Sequence, residues 1–176
     1  MSDNEFLPQE GPAAFVRVWR RIILDPQGFY RDMPSGGGFE NPLIFLGISA
    51  LVYFLLKLIA GGVAEAVNGL FLVLLGYIFG PGILMLASQF IFHGEGDYEG
   101  TLRICAYAGA CLVLAWVPVL GVLAFLYSFY LIFLGVEQIH KLDATKAVIT
   151  TLVAVLVTAA IMVFVLGDAR VRRPLL

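Results

Sequence analysis

Hydrophobic and polar positions divide the chain at Asn41-Pro42: short mixed groups precede this pair, and long apolar runs follow it as far as Leu166. Crossing the hydrocarbon core takes about 20 mostly apolar residues, and every backbone N–H and C=O inside it must be bonded within the segment, so such runs predict transmembrane helices. The first run, Pro42 to Ala60, opens at a polar Asn-Pro start and stops at Gly61-Gly62. Lys57 lies near its far end, where a long side chain reaches the headgroups. The second run, Val67 to Phe92, exceeds one crossing and carries Gly80-Pro81-Gly82 at its middle, where the helix is expected to kink or break. A kink would absorb tilt; a break would give a discontinuous helix lining a solute site, as in secondary transporters.

The polar loop from His93 to Thr101 separates this run from a stretch, Leu102 to Val136, that is too long for one crossing. Trp116-Val117-Pro118-Val119-Leu120-Gly121 cuts it in two, with Pro118 and Gly121 setting a tight hairpin near the membrane surface. A second polar loop, Glu137 to Lys146, leads to the last run, Ala147 to Leu166. The pattern therefore predicts an all-α polytopic membrane protein of about five spans. Residues 1–41 form an N-terminal arm, 42–166 the transmembrane domain and 167–176 a short basic tail.

The arm has its own periodicity. Phe15, Val18, Trp19, Ile22 and Ile23 recur at three- and four-residue spacing with Arg17, Arg20 and Arg21 between them, which predicts an amphipathic basic helix over Pro12 to Leu24. Such a helix is expected in the membrane interface, the arginines on anionic headgroups and Trp19 among the glycerol groups. Asp25-Pro26 ends it, and Phe29-Tyr30 and a Ser-Gly-Gly-Gly connector follow. Anchoring the first span and docking a cytosolic partner are the two readings of this arm.

Composition strengthens the membrane assignment: 60% of residues are hydrophobic and 14% charged. A net charge of -2 with no long charged run excludes an electrostatic footprint for nucleic acid. The start Met-Ser-Asp-Asn-Glu is not that of a secretory signal peptide, so the first span is expected to insert uncleaved. Placing the N-terminus in the cytosol puts seven basic residues there (Arg17, Arg20, Arg21, Arg31, Arg103, Lys141, Lys146) and leaves four outside (Lys57, Arg170, Arg172, Arg173), which favours that orientation. Cys105 and Cys111 point to different faces of one helix and are expected to be buried, reduced and inert.

Candidate chemistry is sparse. Glu137 and His140 have the Glu-x-x-His spacing of di-iron bundles, but those need a second pair and further carboxylates. His93, Glu95, Asp97 and Glu99 read as a solvated loop in preference to a metal site, and Gly94, Gly96 and Gly100 miss the dinucleotide spacing. No serine, histidine and acid stand at hydrolase spacing, so no enzyme, cofactor or metal is expected. Gly76 with Gly80, Ala106 with Ala110, and Ala154 with Thr158 are small residues four apart. They suit close helix packing within the chain or, less well, self-association.

The order Tyr98-Glu99-Gly100-Thr101-Leu102-Arg103, Ala106-Tyr107-Ala108, Val117-Pro118-Val119-Leu120-Gly121, Leu134-Gly135-Val136-Glu137 and then His140 resembles the Yip domain, a five-span membrane family that interacts with Rab GTPases and has bacterial members. The upstream stretch from Trp19 through Asp25-Pro26 and Phe29-Tyr30 resembles the bacterial members, so the likeness covers roughly residues 12–166. It implies a cytosolic N-terminus, five spans, an outward C-terminus, and Tyr98, Thr101, Arg103, Tyr107, Gly135, Glu137 and His140 as motif positions. Eukaryotic members are associated with vesicle trafficking and membrane shaping. The arm here is short and lacks their Asp-Leu-Tyr-Gly-Pro type motif, so the resemblance implies a bacterial inner-membrane scaffold with lipid contacts and a protein partner or self-association. A small-solute transporter or channel using the break at Pro81 is the alternative.

Overall fold

The computed structural model describes residues 5–171, with side chains described for residues 5–164. These residues form six α-helices and two 3-10 segments: α1 Pro12–Leu24, α2 Pro26–Asp32, α3 Glu40–Phe92, α4 Tyr98–Ala108, α5 Pro118–Ile139 and α6 Ala144–Val171, with 3-10 turns at Pro8–Glu10 and Gly109–Leu114. Proline opens α1, α2 and α5, where its missing N–H costs no helical bond. Asp25 caps α2 by accepting from the Gly28 N–H at 3.1 Å, which is how Asp25-Pro26 stops one helix and starts the next.

Three helices, α3, α5 and α6, are long and apolar enough to cross a membrane. At 1.5 Å per residue a straight 53-residue α3 would run about 80 Å, far beyond the roughly 30 Å hydrocarbon core. It does not run straight. Gly62 leaves helical geometry at φ 78°, ψ 179°, a conformation open essentially to glycine alone. The Tyr53 ring packs on Gly69, and Lys57 pairs with Glu65 at 3.0 Å. Residues 53 and 69 would be about 24 Å apart along a straight helix, so α3 is two antiparallel limbs, 40–61 and 63–92, joined at Gly62.

Of the kink or break expected at Gly80-Pro81-Gly82, the break is absent: the only non-helical residue inside α3 is Gly62, and Pro81 lies buried within the second limb. Lys57 finds a carboxylate across the bend instead of reaching out alone for headgroups. The helix after the 93–97 loop begins at Tyr98, three residues before the expected end of that loop. After Ala108 it tightens into the 3-10 segment; 11 α and 6 3-10 residues extend about 28 Å, so the tighter coil lengthens a short run towards the bilayer thickness. At the following turn the Gly121 N–H donates to the Val117 carbonyl, and a Cβ on Gly121 would sit 2.8 Å from the Ala115 oxygen. The turn closes tightly because that Cβ is missing.

The arm shares the bundle's core. Ala14, Val18 and Ile22, spaced by four along one face of α1, are fully buried, and Phe29 and Tyr30 of α2 join them. An aromatic chain carries the contact inward: Phe15 to Phe45 at 4.9 Å, Phe45 to Tyr107 at 5.3 Å and Tyr107 to Phe29 at 5.1 Å between ring centroids. The arginine tail, with Arg172 and Arg173, lies outside the described residues, as do the Arg170 side chain and residues 1–4.

Candidate functional site

Two polar clusters gather at the end of the bundle where the arm, the 93–97 loop and the C-terminus of α5 meet. The first is built on His140, fully buried just beyond α5. Its Nδ1 lies 2.7 Å from the Ser88 hydroxyl on α3, and its Nε2 lies 2.9 Å from the Thr101 hydroxyl on α4. The Thr101 hydroxyl has one proton and gives it to the Asp97 carbonyl at 2.6 Å, so towards His140 it can only accept. Nε2 therefore carries a proton, and in the neutral ring, which burial favours, Nδ1 accepts from the Ser88 hydroxyl. Burial pushes its pKa down to about 4, outweighing the opposing pull of Asp97.

The loop closes over this ring. Glu95 N–H donates to the His140 carbonyl at 3.2 Å, Gln89 donates to the Gly96 carbonyl at 3.0 Å, and Asp97 caps α4 by accepting from the Gly100 N–H at 2.8 Å. A Cβ on Gly96 would stand 2.6 Å from the imidazole Cγ. Gly96 is thus the lid over the ring, a role beyond the turn residue its spacing suggests. Outside, Lys141 pairs with Glu95 at 2.6 Å, and the hydrogen bond to that carboxylate raises the ammonium's pKa. Glu137 makes no hydrogen bond to His140, and the described residues contain no group of three His, Cys, Asp or Glu able to hold a metal.

The second cluster is built on Arg103. The charge count places this arginine with the solvated loops; it is instead fully buried on α4. Its Nε donates to the Pro34 carbonyl at 3.1 Å, its Nη1 donates to the Gly38 carbonyl at 2.9 Å, and its Nη2 pairs with Glu5. Glu99 accepts from the Gly38 N–H at 2.7 Å. The glycine connector is thereby wrapped around a planar guanidinium that satisfies its carbonyls, the task for which arginine's fork of donors is suited. Burial of such a charge is tolerated only with this full set of partners.

Tyr107, one turn further along α4, accepts from the Phe6 N–H at 3.2 Å. Gly135 on α5 presses on Ile104, leaving no room for a Cβ. Tyr98 remains 42% exposed, with its ring 6.3 Å from Phe39. The structure therefore brings Thr101 and His140 into one network and Arg103 and Tyr107 into another around the arm, and leaves Glu137 outside both. Ser88, Asp97 and Glu5 complete these networks. A lone hydroxyl in the apolar run and an Asp three residues before Gly100 were the only traces of them in the sequence.

Trp19 also takes a different place from the one its amphipathic pattern suggests. Its indole N–H donates to the Ala110 carbonyl at 2.9 Å, in the 3-10 segment, so the ring locks the arm to the bundle. Tyr127 donates to the Ile23 carbonyl at 2.9 Å and Tyr30 to the Ile104 carbonyl at 3.3 Å, two further ties of the same kind. The outward face of α1 carries Ala13, Val16, Arg17, Arg20 and Leu24, with Val16 53% and Leu24 72% exposed. Arg17 pairs with Glu10, and Arg21 lies 3.7 Å from Asp32.

A helical bundle with three helices able to cross a membrane and exposed apolar outer faces defines the class: this is an integral membrane protein. Residues 20–167 match the Yip1 domain, and the chain belongs to that family. The match begins inside α1 and so includes most of the arm's helices along with the bundle. No curated protein and no solved structure gives a match.

Proposed function

We propose that this Yip1-domain protein is a non-enzymatic scaffold of the bacterial inner membrane, with its arm on the cytosolic side and the outward face of α1 as its working surface. In this reading the chain crosses five times, by the two limbs of α3, by α4 with its 3-10 extension, and by α5 and α6. The observation that carries the reading is the make-up of that α1 face: arginines beside exposed Val16 and Leu24, on a helix locked to the bundle by its opposite side. On α5 the large exposed apolar side chains run from Val119 to Leu126 and stop at Tyr127, where the arm begins. A helix with arginines beside exposed apolar side chains, packed next to this face, suits the depth at which basic side chains meet headgroups and short apolar ones dip below them. Anionic lipid is its first partner, and a protein or a second copy docked on the same membrane-facing arm is the organising role built on it.

The test uses the full chain in nanodiscs, with a fluorophore on Val16→Cys and a quencher on phosphatidylglycerol headgroups. Quenching should exceed that seen when the quencher sits on a neutral lipid by a factor of two or more, and Arg17→Glu with Arg20→Glu should abolish the excess. Equal quenching in both lipids, unchanged by the substitutions, would sink the headgroup reading.

A further inference from the structure

Between the second limb of α3, the 3-10 segment, α5 and α6 lies a cavity of about 490 Å³. The small residues whose spacing suggests tight helix crossings line it: Gly76 and Gly80 from α3, Ala154 and Thr158 from α6. At Gly76 the helices do meet, since a Cβ there would stand 3.0 Å from the Met162 methyl, but one turn on, at Gly80, the space is open. A Cβ on Gly80 would meet nothing within 4 Å. The gap is open to the outside on one side, so what surrounds the bundle can enter it, and it is larger than the few voids a close-packed interior holds.

Water is a poor occupant, because a buried water needs two to four polar partners. Of the wall hydroxyls, Ser128 donates to the Phe125 carbonyl at 2.6 Å and Thr158 to the Ala154 carbonyl at 2.7 Å, both turned back on their own helices. Tyr77 has the one wall hydroxyl that makes no hydrogen bond among the described residues. The remaining lining is apolar, hydrocarbon apart from the Cys105 and Cys111 thiols and the Met162 thioether, and the volume lies within the range of about 300–1,000 Å³ that ligand pockets occupy. The wall reaches the outside at Phe125, which is 58% exposed on the apolar face of α5. The mouth therefore opens where lipid tails lie.

We infer that this cavity binds one acyl chain of a bilayer phospholipid, entering past Phe125 and running between α5, α6 and the second limb of α3. At about 30 Å³ per methylene, roughly the volume of a water molecule, the space takes on the order of 15 carbons. The site is independent of the arm's outward face: the two share no lining residue, and its loss would leave headgroup binding there intact.

The experiment uses the full protein in nanodiscs containing a phosphatidylethanolamine with a diazirine on one acyl chain, followed by photolysis and peptide mapping. Cys105 and Cys111 line the cavity yet are only 6% and 5% exposed, so label on either one reports a chain inside. Label should appear there, and Gly80→Leu, which fills the open space, should cut it at least fivefold. Gly82→Leu makes the same change two residues on, outside the cavity, and should leave labelling within twofold. Ser128→Leu narrows the same cavity from α5 and replaces Gly80→Leu as the readout if that variant does not fold. Label confined to outward residues such as Phe71 or Leu123, labelling equal in wild type and the cavity-filling variants, or a crosslink joining two chains through the cavity would each overturn the assignment.

Discussion

His140 is the residue whose chemistry depends most on its neighbours. Alone, an imidazole titrates near pH 6.5; here burial between Ser88 and Thr101 brings the value to about 4. The folded protein thus takes up this proton less readily than the unfolded chain, so the stability this group contributes is present above about pH 6.5 and is lost as the pH falls towards 4. Between pH 7 and pH 5 the loss amounts to about 2 kcal/mol, and the apparent melting temperature of the detergent-solubilised protein should fall accordingly. His140→Gln should be less stable at pH 7 and should remove most of the difference between pH 7 and pH 5. A difference that persists in that variant would assign the pH dependence to another group.

At the scale of the element, the arm is held by polar ties aimed at carbonyls and by an aromatic stack, and Arg103 is its keystone. Arg103→Met keeps much of the volume but strands Glu5 and the carbonyls of Pro34 and Gly38. Removing one member of a buried charge pair costs about 3–5 kcal/mol because the other is left uncompensated. Protease cleavage within the Ser35–Gly38 connector should therefore rise at least tenfold in the variant, while Arg31→Met, whose partner Asp32 is on the surface, should leave it unchanged. The arm's amphipathic pattern was legible in the sequence, since Ala14, Val18 and Ile22 share the face marked by its apolar spacing. What covers that face was not. Periodicity reports that one side avoids water and is silent on whether a bilayer or a bundle provides the shelter, so Trp19 and Arg103 were assigned to the interface and to the loops.

For the whole molecule, the bend at Gly62 decides how many times the chain turns back. If the two antiparallel limbs of α3, α4 with its 3-10 extension, α5 and α6 each cross the bilayer, as we propose, the two termini lie on opposite sides. A reporter active on only one side of the membrane, fused after Leu176, should read as outward while the same reporter at the N-terminus reads as cytosolic. Both on one side would mean that α4 and its 3-10 segment enter and leave by the same surface. The deletion of Gly61-Gly62 should move the C-terminal reporter or abolish expression, since two limbs without a bend cannot fit the bilayer.

By itself, the sequence determined that this protein is helical, embedded in a membrane and of the Yip1 kind, because apolar run length and the order of short motifs survive without knowledge of neighbours. It also located the turn at Gly61-Gly62, since glycine is the residue for which φ near 78° carries no steric penalty. Only the tertiary structure decided which polar residues leave the surface. Ser88, Thr101 and His140 come from three separate helix ends, and Arg103 and Glu5 from positions 98 residues apart, so their complementarity exists only once the bundle has brought them together. It likewise decided that Gly76, Gly80, Ala154 and Thr158 border a cavity. Small residues permit either a close crossing or an open space, and the distance between helix axes, which no local pattern encodes, selects between them.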